Sequence, residues 1–270
     1  MSLAHPVILV FDSGLGGLTV LREIQKARPD ARYVYLADNA FFPYGDLPEI
    51  VLIDRVVALI GEMITRYQPD LVVIACHTAS TLVLPALRAA DTTPVIGTVP
   101  AIKPAAETSR SRIIGILATA GTAKRDYTRA LIEEFAHDCK VVIHSPAHLA
   151  ARAETFLRGG SVDDTSILAD IAPCFIEENG RRTDTIVLAC THYPLFLDAF
   201  RRVAPWPVTW IDPAPAIARR AVQLLGSLKG PPVPPSENTA LFTSDAAPTP
   251  SLSAALTEFG LPIIETASID

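Results

Sequence analysis

The sequence contains two cysteines at the same place in two copies of one pattern. Residues 70–80 read Asp-Leu-Val-Val-Ile-Ala-Cys-His-Thr-Ala-Ser, and residues 184–194 read Asp-Thr-Ile-Val-Leu-Ala-Cys-Thr-His-Tyr-Pro. In each copy the cysteine ends a short apolar run, which is typical of a buried strand in a parallel sheet. Two thiols, one in each half, could face a substrate from both sides. Such a pair is suited to inversion at a carbon atom, because one thiolate can remove the α-proton while the other thiol delivers a proton from the far face.

A free cysteine at a strand end also commonly packs as a small apolar residue. The equivalent placement of Cys76 and Cys190, each followed by polar residues, favours chemistry over packing. We expect a helix to begin just after each cysteine. A helix N-terminus stabilises a thiolate and lowers the pKa of the thiol.

Histidines follow both cysteines, at His77 and His192. Two cysteines and two histidines are also a zinc-ligand set. We do not favour zinc, because neighbouring residues on an extended chain, such as Cys76 and His77, point in opposite directions and the usual ligand spacings are missing. The position of His192, two residues after Cys190, favours a role in moving protons.

A glycine-rich turn, Asp-Ser-Gly-Leu-Gly-Gly at residues 12–17, follows the first apolar run. Its glycine spacing fits neither the dinucleotide-binding pattern nor the phosphate-binding loop of nucleotide hydrolases. The glycines let backbone amides face a small ligand at a helix N-terminus. The sequence leaves two roles open for Asp12 itself, namely a helix cap or a carboxylate of the site.

Neutral hydrogen-bonding groups lie in the predicted loops at strand ends, and together they could bind two carboxylates and an amine. No cluster of lysine and arginine accompanies them, which argues against a phosphate substrate. These residues are Ser13, Pro43, Tyr44, Gly45, Thr78, Thr119, Thr122 and Thr191.

The predicted chemistry calls for no cofactor. Pyridoxal phosphate would need a Schiff-base lysine, and we find none at a predicted strand end. Donors around the substrate carboxylate and the exclusion of water would then stabilise the carbanion. Asp12 and His192 would assist the two thiols as proton-transfer partners.

Strand-like and helix-like segments alternate along the chain, which predicts an α/β protein with mostly parallel sheets. The predicted strands are 7–11, 33–37, 71–75, 94–98, 112–118, 140–144, 185–189 and 241–244. The predicted helices are 18–26, 48–66, 77–88, 123–135, 161–178, 195–203, 211–225 and 251–259. The order repeats, so we interpret the chain as two similar halves from an internal duplication. The first domain is predicted to comprise residues 1–98 plus 208–270, and the second residues 99–207.

Composition excludes several classes of protein. The net charge of −6 and the pI near 5.5 argue against nucleic-acid binding, which usually needs a basic face. No apolar run reaches the roughly 18 residues of a membrane helix, and the N-terminus shows no signal-peptide pattern. Four cysteines in 270 residues indicate free thiols in a reducing cytoplasm rather than a disulfide scaffold.

Several segments resemble the cofactor-independent aspartate/glutamate racemase superfamily, and within it the glutamate racemases. The resemblance covers essentially the whole chain and lies in residues 11–17, 43–45, 75–80, 118–122, 189–194 and 211–218. It implies two flavodoxin-like domains related by a pseudo-twofold axis, with the site in the cleft between them. It also implies interconversion of L- and D-glutamate for peptidoglycan synthesis, and is compatible with a homodimer.

The resemblance also implies residue roles. Cys76 would act on D-glutamate and Cys190 on L-glutamate, assisted by Asp12 and His192. The substrate would be held by Ser13, Tyr44, Gly45, Thr78, Thr122 and Thr191.

Two positions depart from the family pattern or leave its assignment open. His77 stands where the family usually has Asn, and it could change affinity, rate or substrate choice. Many members carry a site Glu in the second half. Glu154 and Ala151 both stay open as its position, and Glu154 is not included in the predicted site. A racemase of aspartate or another acidic amino acid stays open as an alternative. So does an acidic-amino-acid binding or partner-inhibiting protein with impaired turnover.

Overall fold

The computed structural model describes residues 5–267, so residues 1–4 and 268–270 of the predicted first domain lie outside the described part. The strands are β1 (Val7–Asp12), β2 (Arg32–Ala37), β3 (Leu71–Ile74), β4 (Val95–Gly97), β5 (Ile113–Ala118), β6 (Lys140–His144), β7 (Glu177–Glu178), β8 (Arg181–Arg182), β9 (Thr185–Ala189), β10 (Thr209–Ile211), β11 (Thr239–Phe242) and β12 (Ile263–Thr266).

Helices alternate with these strands. They are α1 (Leu18–Ala27), α2 (Glu49–Tyr67), α3 (His77–Ala90), α4 (Ile102–Thr108), α5 (Ala120–Ala123), α6 (Asp126–Phe135), α7 (Leu149–Leu157), α8 (Asp164–Ile171), α9 (Leu197–Val203), α10 (Ala214–Leu225) and α11 (Pro250–Glu258). Short 3₁₀ turns occur at Tyr44–Asp46, Ala172–Cys174, Tyr193–Phe196 and Pro235–Glu237. Among the described residues, none of these helices has the combination of length and apolar character needed to span a membrane.

The two halves contain separate parallel sheets with the same strand order. The first sheet runs β12-β11-β2-β1-β3-β4 and the second β10-β9-β5-β6. When each half is numbered from its own first strand, both contain the order 2-1-3-4, which is typical of flavodoxin-like folds. In each half the cysteine strand therefore lies beside the first strand, with Phe11 opposite Ile74 and Ala118 opposite Ala189.

Helices cover both faces of the sheets, which is why the strands read as nearly continuous apolar runs. In β1, Ile8 and Val10 pack in one core cluster, while Leu9 and Phe11 pack in the cluster on the opposite face. All four residues of β3 are buried. The sheets thus form rigid platforms whose carboxyl ends carry the cysteines.

The C-terminal segment adds to the sheet of the first half, because β11 pairs with β2 and with β12. The predicted domain boundary at residue 208 assigns one strand, β10, to the wrong half. β10 pairs with β9 and is the fourth strand of the second sheet. The chain therefore crosses back to the first half only between β10 and α10.

The predicted helix at residues 161–178 is also wrong. Asp163 caps a shorter helix, α8, by accepting a hydrogen bond from the Ser166 nitrogen. Pro173 lies in the 3₁₀ turn that follows, since proline lacks the N–H that a helix interior needs. The β7–β8 hairpin comes next, and β12 and α7 were not predicted.

Candidate active site

A small cavity lies between the two sheets at the carboxyl ends of their strands, where α/β folds bind ligands. Its volume is about 30 Å³, so the two halves are closed on each other. Both halves supply the lining residues, which are Ser13, Phe42, Pro43, Tyr44, Gly45, Cys76, His77, Thr78, Thr119, Ala150, Cys190, Thr191 and His192.

Cys76 enters the cavity from the first half. It follows β3 and precedes the first residue of α3, as expected, and its thiol lies 3.7 Å from the Ser13 hydroxyl. Burial, together with the charge of Asp12, raises the pKa of Cys76 to about 12. The backbone N–H of Ala79, in the first turn of α3, lowers this pKa in the direction expected for a helix N-terminus, but desolvation of the thiolate outweighs it. At neutral pH Cys76 is a protonated thiol.

Cys190 enters the same cavity from the second half. It follows β9, and its sulfur lies 3.7 Å from Nδ1 of His192. The chain continues into a 3₁₀ turn at Tyr193–Phe196 and only then into α9. The expected helix immediately after this cysteine is thus a 3₁₀ turn, which brings His192 back onto the thiol.

His192 and Glu154 form a buried pair beside Cys190. Nε2 of His192 lies 2.8 Å from a carboxylate oxygen of Glu154, and the backbone nitrogen of Leu15 donates to that same oxygen. Burial alone would lower the pKa of His192, but its hydrogen bonds to Cys190 and Glu154 raise it well above the ordinary value. Burial opposes ionisation of Glu154 as well, yet its bond to His192 holds the pKa of this carboxyl below its usual value. The raised pKa of His192 and the lowered pKa of Glu154 favour a charged pair, and Nδ1 of His192 faces the Cys190 sulfur.

Glu154 is the residue that our sequence analysis missed. It lies in α7, on a buried face with Leu149 and Ala153. Ala151, the other open position for the family's Glu, is exposed on another side of this helix. A charged residue on the apolar face of a helix was the signal that could have identified Glu154.

Asp12 lies at the carboxyl end of β1 and is fully buried. Its Oδ2 accepts from the Gly17 nitrogen at 3.0 Å, while its Oδ1 accepts from the Thr191 hydroxyl of the other half at 3.3 Å. Burial raises the pKa of Asp12 above its ordinary value, although His192 opposes this. Asp12 thus hydrogen-bonds the glycine-rich turn, and its negative charge also raises the pKa of Cys76. It lies behind the cavity wall rather than in it.

The glycine-rich turn allows close approach of the two halves. A Cβ atom on Gly16 would lie 2.5 Å from both Nδ1 of His192 and the hydroxyl of Thr191. A Cβ atom on Gly14 would overlap the carboxylate of Glu154. These glycines therefore place the β1–α1 turn against the catalytic candidates of the second half, which the sequence interpretation did not foresee.

The predicted neutral donors meet across the cleft. The hydroxyl of Thr78 lies 3.0 Å from that of Thr119 and 3.4 Å from that of Thr122. Thr122 stands behind Thr78 rather than on the cavity surface. Phe42 was not predicted, and its ring lies 5.5 Å from the ring of His192.

His77 lines the cavity and is 3% exposed. Neither ring nitrogen has a hydrogen-bond partner among the described residues. Burial lowers the pKa of His77 to about 3, so the ring is neutral. Within the described part of the chain, no three His, Cys, Asp or Glu side chains are grouped as a metal ion would require.

Comparisons with known proteins show the family of this chain. A family model described as Asp/Glu/Hydantoin racemase matches residues 18–221. A glutamate racemase from Brucella canis is 58% identical over 219 residues, which cover 81% of this chain and 79% of that protein.

Solved structures are also similar. The Escherichia coli glutamate racemase, crystallised with L-glutamate and the activator UDP-MurNAc-ala, has a TM-score of 0.90 at 38% identity and covers 99% of this chain and 100% of its own. A glutamate racemase isoform from Bacillus anthracis has a TM-score of 0.78 at 28% identity and covers 98% of both chains. The chain belongs to the Asp/Glu/hydantoin racemase family.

Proposed function

We propose that this protein interconverts L- and D-glutamate, with Cys76 and Cys190 as the two proton-transfer groups. The observation that carries the proposal is that two thiols, at equivalent strand ends of duplicated halves, line one small cavity. The glutamate racemases among its relatives support glutamate as the substrate. Because the thiols supply both proton-transfer groups, the proposal calls for no cofactor.

Conversion of L-glutamate begins at Cys190. Its thiolate takes the α-proton, an S–H bond forms, and the electron pair of the broken C–H bond moves into the α-carboxylate. The Cys76 thiol then gives its proton to the opposite face of the α-carbon, which yields D-glutamate and a Cys76 thiolate. The raised pKa of Cys76 fits this role, because the group starts as a protonated acid.

The buried neighbours of the thiols have separate duties. His192, charged by its pairing with Glu154, stabilises negative charge on the Cys190 thiolate. It can give a proton to that thiolate and take the same proton back. Asp12 has a raised pKa, which brings its proton affinity closer to that of a thiol, so it can assist Cys76 in the reverse direction. We assign one face of the α-carbon to Cys190 and His192, and the opposite face to Cys76 and Asp12.

Substrate binding falls to the neutral donors of both halves. Ser13, Thr78 and Thr191 line the cavity, and the Thr122 hydroxyl contacts that of Thr78. Pro43, Tyr44 and Gly45 form one wall of the cavity, and His77 offers a ring without a hydrogen-bond partner among the described residues. Preorganised donors of this kind can stabilise the carbanion's carboxylate in a closed site.

Hydrogen–deuterium exchange at the α-carbon tests the function. Each enantiomer of glutamate and of aspartate is incubated with the protein in D₂O, and deuterium uptake and optical rotation are followed together. We expect exchange with racemisation for glutamate. Exchange only with aspartate would indicate the alternative acidic amino acid, and binding without exchange would contradict an enzyme.

Single substitutions test the two-thiol mechanism. Cys76→Ser and Cys190→Ser should each abolish racemisation, because one proton-transfer group is lost. Cys139→Ser is the matched control, since Cys139 is a partly exposed thiol outside the cavity. Full activity in either site variant would rule out a two-thiol mechanism.

We further propose a cytoplasmic role in supplying D-glutamate for peptidoglycan. The homodimer compatible with the family resemblance also stays a proposal. Light scattering of the purified protein measures its mass in solution, and a monomer would contradict the dimer.

A further inference from the structure

The carboxylate of Asp38 is fully buried just after β2, next to the loop that carries Pro43, Tyr44 and Gly45. Its Oδ2 accepts from the Tyr44 hydroxyl at 2.5 Å and from Nε of Arg55 at 3.0 Å. Its Oδ1 accepts from Nη2 of Arg55 at 2.8 Å and from the Thr243 hydroxyl at 2.6 Å. Hydrogen bonds to an ionised group are short and directional, so this carboxylate fixes its neighbours firmly.

This hydrogen-bond network determines whether the Tyr44 hydroxyl is available to a substrate. Because its hydroxyl donates to Asp38, that proton is not offered to the substrate. Burial and the charge of Asp38 both raise the pKa of Tyr44 above its ordinary value, so the phenol stays a neutral donor. Tyr44 therefore lines the cavity with its hydroxyl already bonded to Asp38, and the position of Tyr44 depends on that bond.

The same network fixes the start of the loop. The Phe41 nitrogen donates to the Asp38 carbonyl, and the Arg55 guanidinium lies 4.1 Å from the centre of the Phe41 ring. Arg55 comes from α2, and Thr243 follows β11 from the C-terminal segment. Two separate elements of the first half thus clamp one loop through one carboxylate.

Beyond the clamp, the loop reaches the second half. The Phe42 ring lies against His192, and Gly45 lies against Gly121, where an added Cβ would meet the Gly45 Cα at 3.2 Å. A shift of the loop would therefore change the spacing between substrate contacts of the two halves. Cys76, Cys190 and Glu154 are held by other elements and would stay in place.

We propose that Asp38 is a positioning residue for substrate binding, which acts by clamping Tyr44 between Arg55 and Thr243 so that the Pro43–Gly45 wall of the cavity keeps its place. The inference rests on the proposed function, because it assigns this wall to glutamate. Asp38 itself touches neither the cavity nor the thiols. Its loss should weaken binding more than it slows proton transfer.

Three variants test the inference, namely Asp38→Asn, Tyr44→Phe and the double variant. We expect Asp38→Asn to raise KM for both enantiomers roughly tenfold, the scale of one charge-assisted hydrogen bond, with kcat changed less than about threefold. Tyr44→Phe should raise KM similarly. The KM of the double variant should be no higher than that of the more impaired single variant, because both changes break the same hydrogen bond. Calorimetry with D-glutamate should show a matching rise in Kd.

Asp70→Asn is the matched control. Asp70 is an aspartate at the opposite end of the same sheet, where it accepts from the Val7 nitrogen at 2.8 Å. It should leave KM, kcat and Kd unchanged, and thermal melting of every variant reports folding.

The outcomes separate the two proposals. Wild-type protein that binds D-glutamate without racemising it would contradict the proposed function, while the Kd series would still test Asp38. Tyr44→Phe with unchanged KM and Kd would overturn the positioning role, even if Asp38→Asn failed to fold. Loss of kcat at constant KM, or additive effects in the double variant, would overturn it as well.

Discussion

At the scale of single residues, His77 is the most unusual feature of the site. A buried polar group normally has a hydrogen-bond partner, yet both nitrogens of this ring lack one among the described residues. A neutral imidazole has one hydrogen-bond donor and one acceptor. An Asn side chain also offers donors and an acceptor, in a smaller group. We therefore expect the ring to contact the carboxylate or the ammonium group of a bound amino acid.

Replacing His77 with Asn should change both binding and acid stability. Burial lowers the pKa of His77 to about 3 from its ordinary 6.5, so the unfolded chain takes up a proton that the folded chain refuses. Stability associated with neutral His77 is present above pH 6.5 and is lost as the pH falls below it. Urea titrations should show that, between pH 6.5 and about pH 5, the free energy of unfolding of the wild type falls by about 2 kcal/mol more than that of His77→Asn.

The kinetics of the same variant make an independent check. KM should change severalfold while the pH profile of kcat keeps its shape between about pH 6 and 9, because the neutral ring does not titrate there. Equal acid sensitivity of the two proteins would show that His77 is not buried as described.

Glu154→Gln should shift the pH dependence of the reaction. Loss of the carboxylate removes a charge that raises the pKa of His192, so the limb of the kcat/KM profile governed by His192 should move to lower pH. We expect kcat/KM near neutral pH to fall on the order of tenfold. Arg158→Gln is the control, because Arg158 only contacts the outer Glu154 oxygen at 3.5 Å from a partly exposed position. An unchanged profile in Glu154→Gln would remove Glu154 from the mechanism.

Residue patterns predicted the cavity lining better than they predicted its electrostatics. The repeated Ala-Cys motif and the loop donors identified groups that the fold brings together, because the ends of parallel strands meet at one edge. The raised pKa of Cys76 depends on burial, and the buried position of Glu154 depends on how α7 packs. Neither can be obtained from spacing alone.

At the scale of elements, local chemistry explains both the successes and the failures. The β3 and β9 runs were predicted because each is apolar throughout and bounded by polar residues. The predicted helix over residues 161–178 overlooked Pro173 and the Asn179–Gly180 pair, whose positive φ angles fit a tight hairpin turn. An Asn-Gly pair was a usable signal for the β7–β8 hairpin.

Gly16→Ala tests the close approach of the two halves. The new methyl would meet His192 and the Thr191 hydroxyl at 2.5 Å, so the turn must move away from them. We expect kcat/KM to fall by about 100-fold, the scale of a misplaced catalytic group, while the protein stays folded. Gly61→Ala in α2 is the matched control, because a methyl there meets nothing within 4 Å. It should keep full activity and gain up to about 1 kcal/mol of stability. Full activity in Gly16→Ala would contradict the described packing of the turn.

At the scale of the whole molecule, the duplicated strand order gives the site its two-sided character. Each half brings one thiol to the same kind of strand end, while the C-terminal segment adds β11 and β12 only to the first sheet. The halves share a strand order but differ around the thiols, with Asp12 and Ser13 near one and His192 with Glu154 near the other. A reaction that inverts one carbon needs a proton-transfer group on each face, and the shared strand order of the two halves places one thiol on each side of the cavity.

The C-terminal segment is joined to the first half by a fully buried ion pair, Arg28–Asp30. Asp30 also accepts from the Lys229 nitrogen, while Arg28 donates to the Gly226 carbonyl, so the pair ties the chain after α10 to the chain after α1. Burial opposes the charge of Asp30, but its bonds to Arg28 and Lys229 hold the pKa of this carboxyl below its ordinary 3.8. Its stabilisation is therefore present above pH 3.8 and lost as the pH falls through the lowered value.

Asp30→Ala should destabilise the whole protein without altering its chemistry. Removal of one partner leaves the Arg28 guanidinium buried and uncompensated, which costs about 3–5 kcal/mol in comparable pairs. Urea unfolding at neutral pH should show that loss in a single transition, because the tie joins the C-terminal segment to the sheet that carries Cys76. Glu265→Ala is the matched control, since its pair with Arg66 lies at the surface with both side chains nearly half exposed, and it should cost less than about 1 kcal/mol. KM and kcat of both folded variants should equal those of the wild type, and a loss of activity in folded Asp30→Ala would mean that the segment after α10 also shapes the site.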